Sequence, residues 1–458
     1  MSGPGHAHGG RFEPLKQITV PRPSLALRPT ERWAERLYFC FQSLRNGVDR
    51  SQVRVTSHLL DGSEEDIREH ITRRLKKTHH PRGDDPLAWL DQQPLMDRSS
   101  LRDDASTLPW YRRFRRLELK KTSGSTGHPV RLCKDMEMAA QIDATMWALY
   151  AWHGIAPGMR HARFWGVPRG RVNQTIRQSL DTALQRKRFN AFQLTERRVK
   201  EFFFELLRFK PRYVHGYPSL VDEFVRVASQ ESLDGRDLGV RVVFLTGEML
   251  RDPVRERVAA FFEAQVVNEY GCSESGLLAF GCEFGHDHLI PASAYPEVLD
   301  SEHRRVSSGG IGEAVVTDLY GSHLPLLRYR LGDLIEVAEN SSCPCGRSLP
   351  MVSISAGRIS SMVILPDGSR LFPAVISYAM PPGIRRFQAK QLAEDHFEVL
   401  IEVQSSEIAE VAMESCERGL KTALGGEVRI EVRITDKIPQ DPSGKLRYFI
   451  PLSEGQST

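Results

Sequence analysis

The sequence lacks the features that would place it in several large classes of protein. No apolar run approaches the length needed to cross a bilayer, and residues 1–20 contain no hydrophobic core of a secretion signal. Lys and Arg number 62 against 58 Asp and Glu, which is too balanced to indicate a nucleic-acid partner. Seven cysteines are an odd number in a chain without a secretion signal and argue against a disulfide framework. We therefore expect a cytoplasmic protein with neither a membrane nor a nucleic-acid partner, and a disordered lead-in over residues 1–20.

The 458 residues are enough for more than one domain. Strands predicted at 213–215, 240–245 and 265–270 alternate with helices, which is typical of an α/β layered core with ligand sites at the carboxyl ends of its strands. Residues 285–356 are rich in strands and turns. The prediction is an α/β protein with a large, multi-layered domain over 21–357, made of α/β subdomains plus a β-rich one, and a small α+β domain over 358–458. Helix starts are expected at three N-cap residues, Thr30, Asp135 and Thr195.

A loop rich in serine, threonine and glycine lies between two ordered segments. It contains Ser123, Gly124, Ser125, Thr126 and Gly127. Glycines let the backbone approach a ligand closely, and the amides and hydroxyls of such a turn can cradle phosphate oxygens. The loop does not match the G-x-x-x-x-G-K-[ST] pattern of kinases and GTPases. The loop taken alone is equally consistent with a flexible segment that binds nothing.

Further motifs follow in a fixed order. They are Gly247-Glu248, Tyr270-Gly271-Cys272-Ser273-Glu274, Arg328-Tyr329-Arg330-Leu331-Gly332-Asp333, Gly357-Arg358 and Ser443-Gly444-Lys445. Together with the Ser/Gly loop, this ordered set resembles the adenylate-forming superfamily of acyl-CoA synthetases, peptide-synthetase adenylation domains and luciferases. The Tyr-Gly-x-Ser-Glu and Arg-Tyr-Arg-x-Gly-Asp motifs and Cys343-Pro-Cys-Gly-Arg look most like the phenylacetate–CoA ligase branch. The resemblance covers roughly residues 110 to 450.

The resemblance implies an AMP-forming ligase that adenylates a carboxylic acid, expected to be aromatic, with ATP and Mg²⁺. The Ser/Gly loop, Gly247, Glu248, Gly271 and Ser273 would bind nucleotide, with Tyr270 against adenine and Asp333 on the ribose hydroxyls. Glu274 would bind Mg²⁺, because hard cations prefer carboxylate oxygens. Arg358 would contact ribose or phosphate at the hinge. Lys445 would enter the site for adenylation on a mobile C-terminal lid, which then rotates for the second half-reaction.

Four of the seven cysteines fall between residues 272 and 345. Cys343 and Cys345 form a Cys-Pro-Cys knuckle, and with Cys282 and one histidine they would complete a tetrahedral Zn²⁺ shell. The resemblance favours His288 over His286 as that histidine. We expect a structural zinc, because four protein ligands leave no open position. The alternative is a set of separate reduced thiols and two surface histidines.

The acyl acceptor is predicted to be coenzyme A. An amine or the phosphopantetheine thiol of a carrier protein is the alternative, and a scaffold that binds nucleotide without catalysis is a third possibility. The identity of the acid is not readable from the sequence, because a fold resemblance defines the chemistry better than the substrate. A homodimer is plausible by resemblance.

Overall fold

The computed structural model describes sixteen stretches of the chain. They are residues 27–97, 100, 118–121, 131–134, 136–165, 180–190, 195–321, 325–339, 342–358, 363–368, 370–371, 375–376, 379–381, 383–425, 427–439 and 446–452. The predicted lead-in over 1–20, the Ser/Gly loop and Lys445 lie outside these stretches. Within them, no helix combines the length and the hydropathy that a membrane span requires.

Four helices precede the first strand of the described chain. They are α1 (Pro29–Asn46), α2 (Arg50–Leu60), α3 (Glu64–His79) and α4 (Pro86–Asp91). Helix α1 begins two residues earlier than the predicted Thr30 cap implies, with Arg28 as its N-cap and Pro29 in its first turn. Proline is favoured there because the first helical N–H groups have no intrahelical acceptor. The predicted Thr30 cap is therefore wrong.

The large sheet contains eleven strands among the described residues, in the order β10-β11-β12-β13-β9-β8-β7-β6-β5-β3-β4. One half is parallel and consists of β3 (His161–Trp165), β4 (Arg186–Asn190), β5 (Tyr213–Gly216), β6 (Val242–Thr246) and β7 (Gln265–Cys272). The accompanying helices are α5 (Met136–Ala151), α6 (Glu196–Phe209), α7 (Pro218–Gln230) and α8 (Asp252–Phe262). Thr195 caps α6 by accepting from the Arg198 N–H, as predicted. Asp135 lies outside the described residues.

The other half of the large sheet is antiparallel and begins at β7, which pairs parallel with β6 but antiparallel with β8. Its strands are β8 (Gly276–Gly281), β9 (Asp287–Leu289), β10 (Ala294–Leu299), β11 (Gly310–Asp318), β12 (Tyr329–Val337) and β13 (Met351–Arg358). The predicted α/β and β-rich parts are thus two halves of one sheet. A separate hairpin, β1 (Glu118–Lys121) with β2 (Arg131–Lys134), precedes α5.

The C-terminal part has a sheet and a core of its own. Its described four-stranded sheet has the order β18-β17-β16-β19. These strands are β16 (Ile384–Ala393), β17 (His396–Val403), β18 (Arg429–Ile434) and β19 (Phe449–Ile450), with β14 (Val363–Ile364) and β15 (Arg370–Leu371) as a small hairpin. Helix α9 (Ala409–Leu424) packs Cys416 and Leu420 into a core that also contains Phe387 and Phe397. The predicted fold class is confirmed: an α/β protein with a large N-terminal part and a small α+β C-terminal part. The sequence analysis missed β16.

Candidate nucleotide site and metal centre

Two of the predicted nucleotide-binding residues are in direct contact. The Tyr270 hydroxyl donates a 2.9 Å hydrogen bond to Oδ2 of Asp333. Tyr270 lies near the end of β7 and Asp333 lies in β12, so the contact spans the antiparallel half of the sheet. A tyrosine on an ionised carboxylate is a charge-assisted hydrogen bond, and it fixes the direction in which the carboxylate points.

Arg358 is brought to the same place by strand register. In the ladder between β12 and β13, Asp333 is the partner of Arg358 and Leu334 is the partner of Gly357. Directly opposed residues of antiparallel strands have Cβ atoms about 4.5–5.5 Å apart. The fold therefore holds three predicted site residues, from three separate motifs of the sequence, within one small region.

The turn from Gly271 to Gly276 carries Ser273 and the half-buried Glu274. A Cβ on Gly271 would lie 2.3 Å from the carbonyl oxygen of Gly276, so only glycine fits at this position. Gly276 adopts a φ of +88°, which also favours glycine. The buried Ser275 donates to Oδ1 of Asp318 at 2.8 Å and anchors the turn to β11.

The Ser/Gly loop is the connection of the β1–β2 hairpin. Lys121 pairs with Arg131, so the loop leaves and re-enters at adjacent backbone positions. Buried Lys134 lies at the end of β2, and its charge acts on the thiol of Cys272. Burial and the nearby Glu274 charge raise the pKa of that thiol, and Lys134 partly opposes the rise. The base of the hairpin is therefore close to the turn that carries Glu274, although the predicted residues Ser123 to Gly127 lie outside the described chain.

The two arginines of the Arg-Tyr-Arg motif support the strand that presents Asp333. Arg328 is buried, has a φ of +46°, and donates from its guanidinium to the Asp91 and Gln93 carbonyls at 2.8 and 3.0 Å. Arg330 makes a two-pronged ion pair with Glu313 of β11, with distances of 2.9 and 2.7 Å to Oε2. Both side chains contact protein groups, so these two arginines of the motif have structural roles.

Gly247 and Glu248 follow β6, on the parallel half of the sheet. Gly247 has a φ of +79°. The Glu248 carboxylate accepts from the backbone N–H and the hydroxyl of Ser219, both at 2.9 Å, and from the backbone N–H of Leu446 at 2.9 Å. The predicted nucleotide contact of Glu248 stays a prediction. Its carboxylate connects the N-terminus of α7 to the residue that follows Lys445.

The four predicted metal ligands form one cluster. The ligand atoms of Cys282, His288, Cys343 and Cys345 all lie within 4.8 Å of one another. The Sγ atoms of Cys282 and Cys343 are 3.7 Å apart, and the Cys345 Sγ is 3.5 Å from Nε2 of His288. In a tetrahedral zinc site, bond lengths of about 2.3 Å to sulfur and 2.0–2.1 Å to nitrogen place ligand atoms about 3.8 Å (S to S) and about 3.6 Å (S to N) apart. The geometry and the donor set both fit Zn²⁺.

Groups around the cluster orient and neutralise its ligands. Nδ1 of His288 is 2.9 Å from the Leu349 carbonyl, and because that contact needs an N–H, Nε2 is left as the coordinating atom. His286 does not belong to the cluster, but its Nδ1 lies 3.2 Å from Sγ of Cys343. Arg347 also hydrogen-bonds the Cys345 side chain. Sequence analysis missed His286 and Arg347 in these supporting roles, although the Cys-Pro-Cys-Gly-Arg motif contains Arg347.

Strand β13 connects the candidate metal centre with the candidate nucleotide site. Met351, at its start, pairs with His288 of β9, and Arg358, at its end, pairs with Asp333. A strand of this length spans about 23 Å at 3.3 Å per residue. Arg347 ties the same region to the end of α2 through an ion pair with Asp61 at 3.0 Å, and to the loop between β8 and β9 through one with Glu283 at 2.6 Å. The cluster thus anchors one end of a strand whose other end is at the candidate active site.

Comparisons with known proteins identify the class. No protein-family model matches the chain. The chain is 24% identical to a phenylacetate–coenzyme A ligase of Thermus thermophilus over 275 residues, covering 53% of this chain and 61% of that ligase. It is 20% identical to protein CapK of Staphylococcus aureus over 373 residues, covering 80% of each. The matched region thus spans about three fifths of the Thermus ligase.

A solved structure with the same fold is that of a 2-hydroxyisobutyryl-CoA ligase. In its post-adenylation state, with an acyl-adenylate bound, it has a TM-score of 0.65 at 19% identity over 96% of both chains. In its thioesterification state the TM-score is 0.50 over the same shares of the two chains. The fold is therefore that of the adenylate-forming enzymes, and the resemblance to their phenylacetate–CoA ligase-like branch is confirmed.

Proposed function

We propose that the protein is an AMP-forming carboxylate–CoA ligase. The contact between Tyr270 and Asp333, with Arg358 paired to Asp333 in the adjacent strand, carries the proposal. It places a carboxylate that can accept two ribose hydrogen bonds beside an aromatic ring that can cover adenine. The similarity to phenylacetate–CoA ligases and the fold shared with an acyl-CoA ligase support the same reaction.

The reaction would have two steps. A carboxylate oxygen of the acid attacks the α-phosphorus of ATP, forming a C–O–P linkage while the bond to the β-phosphate breaks and pyrophosphate leaves. The thiolate of coenzyme A then attacks the carbonyl carbon, forming the thioester and expelling AMP. Positioning and stabilisation of charge provide most of the catalysis in phosphoryl chemistry of this kind.

The chain's own residues would carry these tasks. The amides and hydroxyls of Ser123 to Gly127 would hold the β- and γ-phosphates, in a loop that the β1–β2 hairpin closes. Ser273 would donate to the α-phosphate, and Arg358 would contact ribose or phosphate. Lys445 would bridge the carboxylate and the α-phosphate during adenylation.

Magnesium and zinc would have separate roles. Glu274 would be the Mg²⁺ ligand, and the ion would neutralise phosphate charge. Cys282, His288, Cys343 and Cys345 would hold a structural Zn²⁺, since the donor atoms have the spacing of a tetrahedral shell. Three thiolates and one neutral imidazole around Zn²⁺ would carry one net negative charge, and the Arg347 guanidinium, which also pairs with Asp61 and Glu283, lies beside Cys345.

The domain boundaries and the cellular setting follow from the same proposal. The large adenylating domain would extend over 21–357 and the mobile lid over 358–458, with a lead-in at 1–20. We propose a cytoplasmic enzyme whose partners are a carboxylic acid, ATP and coenzyme A, with a homodimer as the proposed assembly.

The test is product analysis on the purified protein with ATP, Mg²⁺ and a panel of aryl, arylacetic and short hydroxy acids. The expected result is acyl-CoA thioester together with sustained release of AMP and pyrophosphate, and this turnover requires both one of these acids and CoA. Amines and a phosphopantetheinyl carrier protein replace CoA in parallel reactions. Amide or acyl-carrier products without acyl-CoA would reassign the acceptor, and nucleotide binding without any turnover would point to a scaffold.

A further inference from the structure

A band of contacts joins the C-terminal part of the chain to helix α7 and the loop before α8. Arg386 of β16 forms an ion pair with Glu223 of α7 at 2.9 Å, and both side chains are about nine-tenths buried. The Arg386 guanidinium also donates to the Ser219 carbonyl at 3.0 Å. Arg226 and Arg386 together hold the pKa of Glu223 below its ordinary value, although burial acts against them. This pair is therefore ionised at neutral pH.

A second contact of the band is aromatic. The guanidinium of Arg251, which precedes α8, lies 4.7 Å from the ring centre of Tyr448 and 5.4 Å from that of Phe387. A cation that lies over aromatic rings stabilises a contact more strongly when it is shielded from water. Tyr448 is buried enough that its pKa rises to about 12.

The third contact of the band is that of Glu248 with Leu446, the residue that follows Lys445 in sequence. Its carboxylate accepts two hydrogen bonds from Ser219 at the start of α7 and one from the backbone N–H of Leu446. A negative charge at a helix N-terminus is stabilised by the helix dipole. Leu446 is covalently bonded to Lys445, and the segment that follows is tied to β16 because Gln388 donates to the Arg447 carbonyl at 2.9 Å. Glu248 therefore links α7 to the backbone beside the lysine.

We propose that Glu248 is a positioning residue for adenylation: its carboxylate docks the backbone of Leu446, the residue that follows Lys445 in sequence, against the N-terminus of α7. Arg386 and Arg251 complete the docked arrangement. The inference rests on the proposed function, and it gives Glu248, which the resemblance would place against nucleotide, a positioning role through its contact with Leu446. The fold of this chain superposes better on a 2-hydroxyisobutyryl-CoA ligase in its post-adenylation state than on the same ligase in its thioesterification state. The TM-scores are 0.65 and 0.50. These contacts would therefore serve the first half-reaction and be absent in the second.

The test separates the two half-reactions in wild type, Glu248→Ala, Glu248→Gln and Arg386→Ala. Acid-dependent pyrophosphate exchange reports adenylation, and thioester formation from supplied acyl-adenylate and CoA reports the second step. Amide hydrogen exchange of the segment 446–450 reports docking without any turnover. Glu302→Ala is the control, because Glu302 is exposed and pairs only with the neighbouring Arg304 in the described chain.

Glu248→Ala is expected to slow adenylation at least about tenfold, a factor equivalent to ~1.4 kcal/mol, and to leave the second step within about twofold of wild type. It should also speed amide exchange at Leu446. Glu248→Gln keeps an acceptor oxygen without the charge, and its adenylation rate should lie between those of wild type and Glu248→Ala. Arg386→Ala should also slow adenylation more than the second step. Equal loss of both half-reactions, unchanged adenylation or unchanged amide exchange would overturn the proposal. If the wild type shows no acid-dependent pyrophosphate exchange, the proposed function itself is overturned. If the wild type is active, the variants test the role of Glu248 alone.

Discussion

The Tyr270 hydroxyl donates a hydrogen bond to the Asp333 carboxylate across the antiparallel half of the large sheet, at 2.9 Å. Each residue belongs to a short motif that is weak evidence alone. The contact makes the two motifs parts of one site, because the ring that would cover adenine also orients the carboxylate that would hold the ribose. The β12–β13 register adds Arg358 to the same site.

Tyr270→Phe tests that relationship. The ring remains, but Asp333 loses one hydrogen-bond donor, and a hydrogen bond to a charged group contributes about 1.5–3 kcal/mol. We expect the KM for ATP to rise about tenfold with little change in the KM for the acid. Steady-state kinetics with ATP varied will measure this. Tyr320→Phe, which keeps the ring that stacks on Arg74, is the control and should leave both constants unchanged. An unaltered KM for ATP in Tyr270→Phe would contradict the proposal that the Tyr270 hydroxyl orients Asp333 for ATP binding.

Gly271→Ala tests the turn that carries Glu274. The added Cβ would overlap the Gly276 carbonyl oxygen at 2.3 Å, so the turn must shift. Both adenylation and the thermal midpoint are expected to fall. Gly285→Ala meets nothing within 4 Å and has only the strain of its φ of +83°, a cost of about 1 kcal/mol. Equal losses of stability and of activity in the two variants would contradict the role given to Gly271 in this turn.

Cys345→Ser and His286→Ala form a matched pair for the metal centre. Cys345 belongs to the cluster of donor atoms and His286 does not, although both are close to it. Elemental analysis should find about one zinc per chain in the wild type and in His286→Ala, and a loss of most of it in Cys345→Ser. A lower thermal midpoint should accompany the loss, because the centre anchors β9 to β13. Equal zinc content in both variants, or none in the wild type, would contradict the proposed site.

Lys445→Ala follows from the family resemblance. Loss of the lysine should reduce pyrophosphate exchange by several orders of magnitude, because a cation that stabilises transition-state charge is removed. Transfer from supplied acyl-adenylate to CoA should persist. Single-turnover assays of each half-reaction will distinguish these outcomes. Unchanged pyrophosphate exchange in Lys445→Ala would contradict the proposed role of Lys445 in adenylation.

The sequence predicted the candidate site best where residues of suitable chemistry occur in motifs with a fixed order along the chain. Tyr270, Asp333 and Arg358 were predicted from short motifs in a fixed order, and the structure places them together. Cys282, His288, Cys343 and Cys345 were predicted from ligand chemistry, and their donor atoms converge. The choice of His288 over His286 came from resemblance alone, since spacing permits either histidine.

Long-range packing could not be predicted from the sequence. Glu248 looked like a nucleotide ligand because of its motif, and its contact with Leu446 joins residues 198 positions apart. The roles of Arg328 and Arg330 in supporting β12 depend on the neighbours that the sheet brings to them. Strand β16 was missed because Arg385, Arg386 and Lys390 interrupt its apolar alternation. Both arginines form ion pairs, Arg385 with Glu402 and Arg386 with Glu223, and such partners are visible only in the fold.

Exchange of labelled pyrophosphate into ATP, measured with and without each acid of the panel, tests the central claim most directly. The account predicts that exchange requires one of these acids and Mg²⁺, occurs without CoA, and is lost in Lys445→Ala. Exchange that proceeds without any acid, or that survives undiminished in Lys445→Ala, would contradict it.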